Sequence, residues 1–99
     1  MRIIAKPILR EFWLKNKLAE IPLSDWYKQS KKADWSNLAE IKEVFPHADL
    51  VGECIVFNIG GNKYRLITKI KFRAKIIYIR FVLTHNEYDE DKWKKDCRC

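Results

Sequence analysis

Four residues in the second half of this sequence have the chemistry to handle a phosphodiester. The stretch Thr84-His85-Asn86-Glu87-Tyr88 follows an apolar run, IIYIRFVL, and so puts His85 and Tyr88 just past the end of an expected strand. Histidine carries a proton near neutral pH. Arginine, here Arg65 and Arg80, holds a phosphate through two hydrogen bonds and offsets charge that develops on it. A tyrosine ring stacks on a splayed base. Together they suit metal-free RNA cleavage, in which a ribose 2′-OH attacks the adjacent phosphate. No fixed spacing proves it: a single histidine after a strand is more often a surface or capping residue, Tyr88 can close over the core, and Arg80 can pair with Glu53 or Glu87.

That chemistry needs a polyanion, and the charge pattern provides for one. The net charge is +7. Lys63, Arg65, Lys69, Lys71 and Arg73 all fall at odd positions of one run, while Tyr64, Leu66, Ile70 and Phe72 fall at even ones. Side chains alternate along a strand, so the five cations share a face and repel one another until an anion binds.

The remaining elements must position that strand. Met1 to Ala5 reads as a first strand, and Pro7 opens a helix whose Ile8, Leu9, Phe12 and Trp13 recur at helical spacing up to about Leu18. A second helix starts near Pro22 or Ser24, with Leu23, Trp26, Tyr27 and Ser30 on one face. Asn37 and Glu40 have capping-box spacing ahead of Leu38, Ile41 and Phe45, and Pro46 closes that third helix. After residue 50 the period falls to two. Gly60-Gly61 reads as a two-residue hairpin turn that pairs Ile59 with Asn62, Phe57 with Tyr64 and Ile55 with Leu66. Asn58 and Asn62 flank this turn, where asparagine is favoured for backbone reasons alone.

A second turn near Arg73 to Ile76 leads into the last strand. An even loop there sets Lys71 opposite Tyr78, Lys69 opposite Arg80 and Arg65 opposite Thr84, whereas a bulge would shift the pairing by one residue. The expected fold class is α+β: an N-terminal strand and two to three helices packed on one face of an antiparallel sheet, the other face open, concave and basic, in one domain over residues 1–99. His85 to Cys99 is expected as a short helix or tail, with Asp89, Glu90 and Asp91 solvated. The tryptophans are expected in the core, Trp35 being the one to consider for a surface role.

Cys54, Cys97 and Cys99 are an odd count without scaffold spacing, which favours a reduced, cytoplasmic protein. Cys97-x-Cys99 is half a metal site without its second pair, so no metal and no cofactor is expected. No apolar run approaches the roughly 18 residues of a membrane span, so no membrane partner is expected.

The segments KKADW (Lys31 to Trp35), VFNIGGNKYRLI (Val56 to Ile67) and IYIRFVLTHNEYD (Ile77 to Asp89) resemble the HigB family of toxins, within the RelE-like superfamily of toxin–antitoxin systems. The resemblance covers nearly the whole chain. It implies an mRNA interferase, a metal-independent endoribonuclease that cuts messages during translation on the ribosome. It further implies neutralisation by a cognate HigA-like helix-turn-helix antitoxin, with DNA contacted only through the toxin–antitoxin complex. By this resemblance Arg65 contacts the scissile phosphate and Arg80 contributes to the same site or stabilises the leaving group. His85 and Tyr88 stand where related toxins place acid–base and base-stacking groups, and Lys63, Lys69, Lys71 and Arg73 hold the message and ribosomal RNA. Members differ in the general base, and Glu53 and Glu87 are further candidates here. The alternatives are a non-enzymatic inhibitor of DNA gyrase with the same fold, and a plain RNA-binding module. The latter should interleave aromatic residues on the basic face, where Tyr78 is the one clear example.

Overall fold

The computed structural model describes residues 1–99. β1 (Arg2–Ile4) leads into α1 (Lys6–Lys15), a 3-10 turn at Lys17–Ala19, α2 (Glu20–Lys32) and α3 (Leu38–Val44). There follow β2 (Asp49–Val51), β3 (Cys54–Ile59), β4 (Tyr64–Lys71), β5 (Ile76–Thr84), α4 (His85–Asp89) and a 3-10 turn at Lys92–Lys95. The strands form one five-stranded sheet in the order β1-β5-β4-β3-β2, antiparallel throughout except that β1 runs parallel to β5. β4, the strand carrying the cations, is central. The α+β class is as expected, with β2 and the parallel β1–β5 pairing added.

The helices form where the sequence places their signals. Pro7 lies in the first turn of α1, where its missing N–H costs nothing. Asn37 caps α3, its Oδ1 accepting from the Glu40 N–H at 3.0 Å. α2 buries Leu23, Trp26 and Ser30. α1 stops earlier than expected, at Lys15: Asn16 leaves helical geometry, with φ −129° and ψ 80°, and its Nδ2 donates to the Phe12 carbonyl beside the last helical N–H. Leu18 is thereby left 71% exposed.

The helices cover one sheet face. Leu9, Leu23, Trp26 and Ile41 meet Ile55, Phe57, Ile59, Leu66, Ile77 and Ile79 in the main core. Edge-to-face aromatic pairs run through it, Trp26–Phe57 at 5.3 Å, Phe45–Phe57 at 5.4 Å and Trp35–Phe45 at 6.0 Å. Each adds about 0.5–1.5 kcal/mol beyond its buried area. Trp35, 4% exposed, is therefore a core residue and has no surface role.

The opposite face is not open. Cys54, Val56 and Ile67 are buried there beneath Trp93 and Cys97, with Phe81, Leu83 and Tyr88 packed around them. The C-terminal segment folds back as a cap, and Cys54 and Cys97 are joined in a disulfide across 43 residues of sequence, leaving Cys99 exposed. The odd cysteine count concealed this pair because its members meet only through the fold. Gly52 allows the closure: its φ is +59°, and a Cβ there would lie 2.1 Å from the Cys97 carbonyl, which accepts from the Glu53 N–H at 2.7 Å.

Both hairpin registers differ from expectation. Ile59 pairs with Tyr64, Phe57 with Leu66 and Ile55 with Thr68, so the first turn has four residues, Gly60 to Lys63. Gly60 and Gly61 both adopt positive φ, and the Asn62 carbonyl and side chain bind Arg65, which folds Asn62 and Lys63 into the turn. The slip is two residues, so every side chain keeps its face.

In the second hairpin Lys71 pairs with Ile76, Lys69 with Tyr78 and, beyond a bulge between Ile67 and Thr68, Arg65 with Leu83. Arg80 is the extra residue of that bulge, since Ile79 and Phe81 take the flanking pairs. The bulge puts Arg80 and Phe81 on the cap side together, where strict alternation would have sent Phe81 into the main core. No helix is long and apolar enough to cross a membrane.

Candidate functional site

Arg65 sits at the start of β4, beside the glycine turn, on the capped face. The residue is 8% exposed. Its Nη1 donates to the carbonyls of Asn62 and Tyr64, both at 3.2 Å, and its Nη2 to Asn62 Oδ1 at 2.6 Å. A guanidinium has five N–H donors. Those bonds leave Nε–H and one hydrogen on Nη2 without a protein acceptor. Two adjacent donors on a fixed plane match two oxygens of a phosphate.

α4 borders this arginine. Thr84 ends β5 and caps α4 through a capping box: its Oγ1 accepts from the Glu87 N–H, and Glu87 Oε1 accepts from the Thr84 N–H. Glu87 is thus engaged in holding the helix. The His85 N–H donates to the Lys63 carbonyl at 3.0 Å, which ties the start of α4 to the same turn that holds Arg65. The Tyr88 ring lies 5.2 Å from the Arg65 guanidinium carbon and stacks on Trp93 at 4.8 Å, with 13° between planes. The Trp93 indole N–H returns a hydrogen bond to the Tyr88 carbonyl. Turn, cap and strand thereby converge on one guanidinium.

His85 Nδ1 lies 3.1 Å from Asp89 Oδ2, one helical turn on. A carboxylate on Nδ1 fixes the ring and leaves Nε2 for a substrate. The His85 side chain is 46% exposed. Asp89 is therefore not merely the solvated charge expected of it, and its i,i+4 spacing from His85 is legible in the sequence.

Arg80 is elsewhere. It stands three residues from Leu83, the partner of Arg65, which at about 3.3 Å per residue is roughly 10 Å along β5. Asp96 holds it in a two-pronged pair, Nε to Oδ2 at 2.7 Å and Nη2 to Oδ1 at 2.8 Å. Lys69 Nζ is 3.9 Å from the same carboxylate. The hydrogen bond from Arg80 lowers the Asp96 pKa below the ordinary carboxylate value, and Asp96 in turn raises that of Arg80. Neither Glu53 nor Glu87 is the partner; Glu53 faces Arg98 at 3.6 Å. Nothing local in the sequence marks Asp96, because only the folded cap brings it to β5.

Of the other cations, Lys63 lies in the first turn, Lys71 ends β4 and Arg73 lies in the second turn, all exposed. The structure thus joins Arg65 with Tyr88 and α4, joins Arg80 with Lys69, and leaves Lys71 and Arg73 at the far end of the strand. No group of three or more His, Cys, Asp or Glu side chains is placed to hold a metal ion.

Comparison with known proteins agrees with this architecture. Residues 19–91 match the HigB_toxin family, described as the RelE-like toxic component of a toxin-antitoxin system. The "mRNA interferase toxin HigB" of Escherichia coli K12 is 42% identical over 52 residues, and the chain spans about half the length of that relative, 50% of each. The "mRNA interferase HigB" of Escherichia coli O6:H1 is 30% identical over 93 residues, 91% of this chain and 90% of the relative. The chain belongs to the HigB_toxin family, the RelE-like toxic components of toxin–antitoxin systems.

Proposed function

We propose that this chain is an endoribonuclease that cuts messenger RNA, with the ribose 2′-OH attacking the neighbouring phosphate at the corner formed by β4, the glycine turn and α4. The observation that carries the reading is Arg65: a nearly buried guanidinium, locked by Asn62, Tyr64 and Tyr88, with two N–H groups free. A donor set fixed before substrate arrives stabilises developing charge without reorganising. The relatives' names, mRNA interferases, support the same substrate class.

In this reading Arg65 holds the scissile phosphate. His85, oriented by Asp89, exchanges a proton with the 2′-OH or the leaving 5′-oxygen through Nε2. Tyr88 is assigned to fixing Arg65, since its ring already lies against Trp93 and the guanidinium; base stacking on it would require the cap to move. Lys63, Lys71 and Arg73 contact the RNA backbone on either side. Lys69 and Arg80 form a second phosphate contact, which becomes available as Asp96 is displaced. The partners that go with this activity are the translating ribosome and a helix-turn-helix antitoxin encoded beside the toxin.

Induction of the wild-type chain should arrest growth and truncate messages within coding regions, and Arg65→Ala or His85→Ala should relieve both. Intact messages in arrested cells together with lost DNA supercoiling would reject the reading in favour of gyrase inhibition.

A further inference from the structure

The C-terminal cap brings three sulfurs together, and the Arg65 corner uses none of them. Cys54 of β3 and Cys97 are bonded to one another and fully buried, whereas Cys99 carries an exposed free thiol. A reductant arriving from solution therefore meets no open sulfur on the bond itself. Cys99 is beside it. The Lys94 carbonyl accepts from the Cys97 N–H at 3.1 Å and from the Cys99 N–H at 3.2 Å, and Cys99 Sγ stands 3.9 Å from the same oxygen. Between the two cysteines Arg98 takes φ +55°, a left-handed turn. That turn brings their Cα atoms closer than the roughly 7 Å of an extended pair, and disulfides span about 4.4–6.8 Å. A Cys97–Cys99 bond is within the chain's reach.

What the Cys54–Cys97 bond secures is the cap. Trp93 carries the Tyr88 ring that lies against Arg65. Asp96, next to Cys97 in sequence, pairs with Arg80 and Lys69. The tail is clasped to the turn before β3: the Cys97 carbonyl accepts from the Glu53 N–H, and Arg98 faces Glu53 at 3.6 Å. A Cβ on Gly52 would stand 2.9 Å from that of Cys99, so the third cysteine is seated on the same turn. A bond that served only as a staple would need no thiol there.

We propose that Cys54, Cys97 and Cys99 form a thiol relay that opens the cap in reducing surroundings. The Cys99 thiol gives up its proton and the thiolate attacks the Cys97 sulfur. The Cys97–Cys99 bond forms, the Cys54–Cys97 bond breaks, and Cys54 leaves as a thiolate that takes up a proton. This exchange neither consumes nor releases electrons. The new bond includes the exposed Cys99, so a dithiol from solution reaches it, reduces it to two thiols and is itself oxidised to a cyclic disulfide. Cys97 is then no longer tied to β3. Trp93 ceases to fix Tyr88 on Arg65, and Asp96 ceases to offset the charge of Arg80. The consequence for message cleavage, which should fall, rests on the function proposed above; the exchange and the opening do not.

The test treats the full chain with dithiothreitol at about 0.1 mM, below the millimolar effective concentration of a tethered thiol, then quenches in acid, alkylates and maps the bonds by peptide mass. The wild-type chain should pass through a Cys97–Cys99 species, and Cys99→Ser should open Cys54–Cys97 about tenfold more slowly because the buried bond loses its internal attacker. Equal opening rates without that species would overturn the relay. On opening, amides of residues 85–97 should lose hydrogen-exchange protection while those of α2 keep it, and unchanged protection would overturn the release of the cap. Opening should lower message cleavage about tenfold through the misplaced Arg65 corner. Cys54→Ala/Cys97→Ala should cut at that lower rate with or without dithiothreitol. Equal cleavage by the bonded and opened chains would overturn the coupling. Absence of cleavage in both states, with the relay observed, would reject the ribonuclease reading alone.

Discussion

Two arginines on the same sheet face have opposite environments. Arg65 is 8% exposed, fixed by the turn before it and the ring beside it, and no carboxylate touches it. Arg80 has a side chain 43% exposed, stands in a bulge, and spends its fork on Asp96. The first keeps donors in reserve at a site that holds its geometry without a ligand. The second also keeps unpaired N–H groups, but Asp96 offsets its charge, so an approaching phosphate meets a neutralised pair. Arginines of similar sequence setting are thus distinguished by their acceptors: carbonyls orient a guanidinium and preserve its charge, whereas a carboxylate orients it and cancels that charge.

The comparison breaks most sharply at Arg65. Arg65→Ala should lower message cleavage by about 10²–10³-fold, the effect of removing a fixed donor to a developing anion, and Arg65→Lys should not restore it, because an ammonium cannot use the Asn62 and Tyr64 acceptors together with a phosphate. Cleavage of a defined message by purified protein on translating ribosomes measures both.

Next comes the support beneath it. Trp93→Ala removes the ring under Tyr88 and should cost about 3–5 kcal/mol of stability in denaturant unfolding. Reduction of Cys54–Cys97 reopens a 43-residue loop and should cost about 4 kcal/mol on loop-entropy grounds. Either change should loosen α4 in hydrogen exchange before the helices of the main core respond.

Arg80→Ala should lower cleavage by less than about tenfold, consistent with a rim contact. Asp96→Asn should move the other way, raising RNA affinity a few fold by uncovering Arg80 and Lys69. A loss from Asp96→Asn as large as that from Arg65→Ala would erase the distinction between the arginines.

The smallest effect is in pH. Asp96 has a folded pKa below its unfolded one, so its pair with Arg80 stabilises the cap above the ordinary aspartate pKa. That contribution is lost as pH falls below the ordinary value and through the lowered one. Carboxyl NMR titration should place Asp96 below the other aspartates, and Arg80→Ala should return it towards them.

Local signals in the sequence were sufficient for much of this. The Asn37 cap, the stripe of Leu23, Trp26, Tyr27 and Ser30 and the alternation of Ile55, Phe57 and Ile59 depend on neighbours within a turn or a strand, and each is present. Tyr27 is only partly buried, however, and the Glu40 side chain accepts from the Ser36 N–H and not from Asn37. The apolar faces also survived the two-residue slip of the first hairpin, because strand periodicity is two. Long-range closure was not readable. The Cys54–Cys97 pair, the burial of Val56 and Ile67 under Trp93, and the bulge at Arg80 depend on residues tens of positions apart meeting in space. His85–Asp89 was within reach as an i,i+4 pair, whereas Asp96 became the partner of Arg80 only through the folded cap.

The central claim, that Arg65 holds a phosphate under attack by its own 2′-OH, is tested most directly by the chemistry of the cut ends. A message carrying a single 2′-deoxy residue at a mapped cleavage position is presented to the wild-type chain on translating ribosomes, beside its all-ribose counterpart. The all-ribose message should yield a 2′,3′-cyclic phosphate and a 5′-hydroxyl, with no cut at the deoxy position of the other. Cleavage of the deoxy message at that position, or 5′-phosphate ends from either, would contradict it.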